Sequence, residues 1–371
     1  MNMKWSWNIG KIAGIQLSMH WTFLILLAWI FFIYYSLEGS VQQALMGVLF
    51  ILTLFVCVLL HELGHSMAAR RYGIGTKVIT ILPIGGLAQL ERMPEEPRHE
   101  LWVAAAGPLV NVVIAVLIYL YLRISGNWPD ASMLEMQTPG FATLGFWFYL
   151  LMANVILVVF NLIPAFPMDG GRMLRALLAF RMPRTRATQI AASIGQFLAI
   201  TFVFLGFFVN FWLVFIGIFI YLGAGAESRF ETTKSALDGL RVRDVLMTSY
   251  RTVRSTDTLG HVVDLLLDGT QTEFLVVDSG EVRGIVTRTD LVRGLSQLGK
   301  DGLVSEVTQK DFISLDKDQS LIGVYNILMS GPARIAPVLD HGELVGMVDK
   351  ENIDEIILVN RALEQAETAH F

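Results

Sequence analysis

The sequence predicts a polytopic α-helical membrane protein: about six transmembrane helices, a short membrane-associated β segment, and a soluble α/β domain toward the C-terminal end. Three observations predict it. Of 371 residues, 54% are hydrophobic and only 16% are charged, with a mean hydropathy of +0.55. An average soluble domain carries about 25% charged residues. Apolar runs near the roughly 20 residues needed to cross a bilayer recur through positions 1–228. After that the chain turns charged and periodic, and it repeats itself at a shift of 62 residues, the mark of a paired unit.

Residues 1–11 form a short basic lead. The apolar run 17–35 behind it is too long for a signal-peptide core and lacks a small-residue cleavage site, so it is expected to stay as an anchor. Spans are expected at 18–36, 42–68, 100–123, 141–163, 188–207 and 209–227. Lys and Arg gather in alternate loops: Lys4 and Lys11; Arg70, Arg71, Lys77, Arg92 and Arg98; Arg172, Arg175, Arg181, Arg184 and Arg186. By the positive-inside rule both termini face the cytoplasm, in a multi-pass protein of the cell membrane, and Arg172 and Arg175 read as orientation markers. Between spans two and three, residues 77–91 are too short to cross. Their β-branched start and central Pro-Ile-Gly-Gly predict two short strands about a turn. A single cysteine, Cys57, excludes an internal disulfide and a cysteine-based metal site, and the net charge of −5 gives no sign of nucleic-acid binding.

The chemistry gathers at the cytoplasmic end of the second span, His61-Glu62-Leu63-Gly64-His65. Histidines four apart lie one turn apart on one helix face and can grip one Zn²⁺, with Glu62 beside the open coordination position. Zinc acidifies water, and a carboxylate there can take the proton and pass it to a leaving nitrogen. An ionisable group in an apolar span is costly, which favours function over accident. A hydrolytic zinc needs a third protein ligand. Glu91, His99 and Glu100 offer donors, but from a loop that reads as surface-exposed. The better candidate is Asp169, in Asn161-Leu-Ile-Pro-Ala-Phe-Pro-Met-Asp169-Gly170-Gly171-Arg172. Two prolines break the helix there, and two glycines permit a turn directly after the carboxylate. His20 reads as a helix-end side chain at the interface.

Together, His61-Glu62-Leu-Gly-His65, Ala106-Gly-Pro-Leu-Val-Asn111 and Asn161-Leu-Ile-Pro-Ala-Phe-Pro-Met-Asp169-Gly170 resemble the site-2 protease family of intramembrane zinc metalloproteases, over residues 1–228. The resemblance implies zinc held by His61, His65 and Asp169, Glu62 as general base, and Asn161 close to the metal, holding the substrate or polarising its carbonyl. It implies a substrate that is itself a transmembrane protein, cleaved in regulated intramembrane proteolysis. It also implies that the 77–91 segment aligns an unwound substrate by strand addition. For Asn111, a hydrogen bond between helices and a catalytic role both stay open.

After a linker at 229–240, the repeats 241–298 and 303–360, followed by a tail at 361–371, resemble a tandem of CBS domains. Such pairs often bind adenine nucleotides. Gly284-Ile-Val-Thr-Arg-Thr-Asp290 resembles the ribose-phosphate motif, implying Thr287 and Asp290 as contacts for ATP or AMP. The second copy has Asp349 and Asn352 in their places. A ligand-free dimerisation module, pairing two chains, is the competing reading of this tail. The competing reading of the whole is a divalent-metal transporter or channel gated by the paired domain. That reading leaves Glu62 without a task, and residues 1–228 lack the internal repeat common in transporters.

Overall fold

The computed structural model describes residues 5–83, 85–129, 145–331 and 333–369. The chain divides into two compact units, Met1–Arg229 and Phe230–Phe371.

The first unit opens with an element that the sequence reading missed. Before any helix, β1 (Ser6–Ile12) and β2 (Ile15–His20) form a hairpin. Its two-residue loop, Ala13-Gly14, has positive φ at both positions, the turn that matches strand twist. Strand β2 alternates Ile15, Leu17 and Met19 with Gln16, Ser18 and His20, a period of two; Ile15, Leu17 and Ser18 are buried and the other three half-buried. The first apolar helix, α1 (Thr22–Glu38), therefore starts several residues later than the expected span. His20 closes the strand, its Nδ1 2.7 Å from the Thr22 hydroxyl. The expected strand pair is present as β3 (Thr76–Leu82) and β4 (Gly85–Leu90). The two hairpins join through parallel β2–β3 pairing into a four-stranded sheet ordered β1-β2-β3-β4, so among the described strands β4 lies at one edge.

The helices are α2 (Val41–Arg70), α3 (Pro97–Ile124), α4 (Phe146–Asn161), α5 (Asp169–Ala179), α6 (Arg184–Gly206) and α7 (Trp212–Leu237). Among the described residues, four are long and apolar enough to cross a membrane: α2, α3, α6 and α7. Helices α1 and α4 are apolar but shorter. The start of the expected span at 141–163 lies outside the described residues.

Helix α5 departs from the sequence reading in another way. Arg175 is not a surface marker: it is 0% exposed. Its Nε and Nη2 donate to Glu100 Oε1 at 2.8 and 2.5 Å, and its Nη1 donates to Glu227 Oε1 at 2.6 Å. Arg184 Nη1 adds a 2.8 Å bond to Glu100 Oε2. Glu100 is buried accordingly, not on an exposed loop. A buried carboxylate and guanidinium are tolerable when each is paired and fully hydrogen-bonded.

The second unit repeats one motif twice. The first copy has β5 (Thr252–Val253), α8 (Leu259–Leu267), β6 (Phe274–Asp278), β7 (Glu281–Val286) and α9 (Arg288–Leu298). A short helix α10 (Val304–Val307) leads into the second copy, with β8 (Leu315–Asp316), α11 (Leu321–Ser330), β9 (Ile335–Asp340), β10 (Glu343–Asp349) and α12 (Lys350–Ala369). Each copy is a three-stranded sheet with one parallel and one antiparallel pairing. The lead-in of each copy pairs with the last strand of the other, Met247 with Met347 and Gln309 with Ile285. This exchange buries Leu275, Ile285, Ile335 and Met347 between the copies.

Candidate metal centre

Three elements bring the candidate ligands together. Helix α2 supplies His61 and His65, both buried. Helix α5 begins at Asp169, which is also buried. Behind it, the Pro164–Pro167 stretch ends α4 and turns the chain back. Gly170 and Gly171 permit that return: a Cβ on Gly170 would sit 2.3 Å from the Ile163 carbonyl oxygen, and one on Gly171 2.5 Å from Ala165 backbone. Helix α3 forms the wall. A Cβ on Gly107 would lie 2.2 Å from His65 Nε2 and 2.7 Å from His61 Nε2, so α3 approaches the imidazoles only because position 107 has no side chain.

His61 Nε2, His65 Nε2 and Asp169 Oδ2 stand 3.1 Å from one another in all three pairings. Tetrahedral zinc with ligand bonds near 2.0–2.1 Å spaces its ligand atoms about 3.3 Å apart. The proton inventory points the same way. His65 Nδ1 lies 2.7 Å from the Val103 carbonyl, which can only accept, so Nδ1 carries a hydrogen, and in the neutral ring Nε2 offers a lone pair. For His61 the direction is fixed by a chain of amides. Asn154 Nδ2 donates to the Leu150 carbonyl at 2.9 Å, and Asn111 Nδ2 donates to Asn154 Oδ1 at 3.0 Å. That leaves Asn111 Oδ1 to accept from His61 Nδ1 at 2.8 Å. In the neutral, metal-binding form of both rings, two imidazole lone pairs and a carboxylate oxygen then converge on one point. A cation satisfies that arrangement, and this donor set fits zinc. Among the described residues these three form a cluster of potential metal ligands.

Glu62 sits beside the cluster, with Oε2 accepting from the Ala88 N–H of β4 at 3.3 Å. A cavity of about 400 Å³ opens onto His61, Glu62, His65, Asn161, Asp169 and Arg172. A neighbouring cavity of about 340 Å³ shares Glu62, Gly86 and Asn161 and is otherwise largely apolar, with Leu54, Phe55, Val58 and Leu157. Asn161 spends Nδ2 on the Leu157 carbonyl at 2.9 Å.

Four contributors were not assigned to the site from the sequence. Asn154 orients Asn111. Gly107 clears space for the imidazoles. Arg172 lines the cavity with Nη1 3.9 Å from Asp169 Oδ1. Arg175, whose guanidinium lies 5.1 Å from the centre of the Phe166 ring, ties the start of α5 to the broken segment before it.

In the second unit, Thr287 and Asp290 are buried and engage each other. Thr287 caps α9, accepting from Asp290 N at 3.2 Å while its hydroxyl donates to Asp290 Oδ2 at 2.5 Å. Gln309 Nε2 adds a 2.7 Å bond to the same oxygen.

Comparison with known proteins follows the same division. The model of peptidase family M50 matches residues 49–135 and 129–202, and the CBS-domain model matches 242–297 and 304–359. A zinc metalloprotease of Methanocaldococcus jannaschii is 32% identical over 356 residues, 95% of this chain and 96% of that protein. A relative in Synechocystis sp. is 27% identical over 379 residues, 96% of each chain. Among solved structures, the site-2 protease from M. jannaschii shares 37% identity, covering 61% of this chain and 96% of that one, with a TM-score of 0.44.

Proposed function

The chain belongs to the M50 peptidases, the site-2 protease family, and carries a tandem of CBS domains; on that premise we propose that it is an intramembrane zinc endopeptidase that cuts membrane-spanning segments of other proteins. The observation that carries this reading is the meeting of two imidazole lone pairs and a carboxylate beside a second carboxylate, inside an otherwise apolar helical unit. His61, His65 and Asp169 hold the ion. Bound there, zinc supplies a Lewis acid that polarises a carbonyl and acidifies water. Glu62 takes the proton from the attacking water and delivers it to the leaving nitrogen. Asn161 steadies the scissile carbonyl from the opposite wall, and the edge of β4 pairs with the unwound substrate strand. A helical segment hides its amides in hydrogen bonds, so residues that break helices ease its cleavage.

The proposed topology has six crossings, α1 and α4 joining the four long helices, with both termini cytoplasmic. At 1.5 Å per residue, α1 and α4 reach about 25 Å, short of the roughly 30 Å apolar core. Local thinning or flanking residues cover that difference. The CBS pair acts as a regulatory module on the cytoplasmic side. For ATP or AMP to use Thr287 and Asp290, it must displace their mutual bonds and that of Gln309.

The decisive experiment compares wild-type protein with Glu62→Gln in proteoliposomes containing a single-span substrate. Retained zinc with cleavage lost supports the mechanism, and cleavage at the wild-type rate overturns it. Metal flux through the vesicles without proteolysis would favour a transporter instead.

A further inference from the structure

On the first unit, away from the cluster, a cavity of about 250 Å³ lies where the end of α2 meets the β1–β2 turn and the start of β3. It is lined by Ala13 and Gly14 of the turn, Ser66 and Arg70 of α2, Gly75 just ahead of β3 and Thr76 at its start. Two hydroxyls here are orphans: among the described residues, Ser66 Oγ and Thr76 Oγ1 are buried and have no hydrogen-bond partner. Ser66 is 1% exposed. A buried hydroxyl without a partner costs about 1–3 kcal/mol, so such groups are uncommon unless something else satisfies them. A serine in a helix normally has an easy remedy, bonding back to the carbonyl one turn earlier. Ser66 does not take it. Arg70 reaches across from one turn later and donates Nη1 to the Ala13 carbonyl at 3.2 Å. A guanidinium has five N–H groups in all.

We propose that this cavity binds a phosphate group, held by the Arg70 guanidinium, with the Ser66 and Thr76 hydroxyls rotating from their closed positions behind its wall to donate to it. Hydroxyl and guanidinium donors around a small concave space are the chemistry of phosphate recognition. Two further observations bear on its source. The cavity lies at the terminus of a helix long enough to cross a membrane, where phospholipid headgroups sit. The hairpin whose turn closes it exposes Trp7, Ile9 and Ile12, with Trp5 just ahead of β1, an apolar and aromatic surface suited to the membrane interface. The Glu91 carboxylate packs against Gly75, where a Cβ would meet it at 2.7 Å. A nearby negative charge favours the singly charged diester of a phospholipid over a doubly charged free phosphate.

The test uses the full chain in two arms. In the first, nanodiscs of phosphatidylcholine mixed with phosphatidylglycerol are compared by native mass spectrometry for lipid retained per chain. In the second, inorganic phosphate is titrated onto detergent-solubilised protein. Wild type should retain an anionic lipid or bind phosphate, with Arg70→Gln weaker by about tenfold or more, the scale of one charge-assisted hydrogen bond. Thr76→Val, which keeps the shape and removes only the hydroxyl, should weaken binding less. Arg71→Gln removes the same charge from the neighbouring position and should leave binding as in wild type. Retention in the lipid arm assigns the site to a headgroup, and saturation in the phosphate arm alone assigns it to the free anion. Either outcome supports the pocket. No binding in either arm, or equal losses in Arg70→Gln and Arg71→Gln, overturns it.

Discussion

Helix α5 carries a polar cluster at each of two places, and the clusters are opposites. Its first residue, Asp169, meets two imidazole lone pairs, and acceptors face acceptors. Six residues on, Arg175 meets Glu100 and Glu227, and every contact joins a donor to an acceptor. The second arrangement is complete with the chain's own atoms; the first is completed by a cation. Burial and polarity do not tell the two apart. The balance of donors and acceptors does, and it separates a group that positions α5 from a group proposed to do chemistry.

The sharpest way to break this comparison is Asp169→Ala. We expect zinc to be lost on gel filtration and cleavage to vanish, while the metal-free variant melts close to metal-free wild type. A lower melt would mean that the cluster is structural. Arg175→Met should do the reverse. It leaves Glu100 and Glu227 short of a partner and should cost about 3 kcal/mol, in the range for breaking a buried pair. Arg175→Met/Glu100→Gln should recover part of that loss in thermal melts. A neutral result for the single variant would sink the structural assignment. Asn111→Ala removes the acceptor that orients His61, and should weaken zinc about 10–100-fold in chelator competition, as expected when an imidazole's supporting hydrogen bond is removed. The smallest effect is expected in the other unit. Thr287→Ala deletes a cap satisfied within its own turn and should cost about 1 kcal/mol on urea unfolding of that transition, leaving zinc unchanged.

The sequence made one of these clusters visible and hid the other. Histidines four apart, a glutamate between them and an apolar run before them are local signals. Asp169 stood out because two prolines and two glycines frame it. Arg175 had no such frame. Its partners lie 75 and 52 residues away, so only packing shows that it is buried. Among loop arginines it could be read only as an orientation signal. Gly107 was likewise a small residue in a span until α3 was seen against the imidazoles. The N-terminal hairpin escaped for a different reason: the alternation of β2 runs directly into the apolar α1, and a window sized for a membrane helix merges the two. The paired domain was legible as a pair, because a 62-residue repeat reports on itself, although the two-residue strands β5 and β8 are too short to show in a sequence pattern.

Position 107 has a consequence for traffic at the centre. With α3 pressed against the imidazoles at Gly107, both cavities described at the centre open on the side of Glu62 and Asn161. Under the proposed function, ion and peptide would share that side. A polypeptide lodged there would shut the metal in, so a peptide-like inhibitor should slow extraction by chelator, and a chelator should find the idle enzyme easier to strip than the working one.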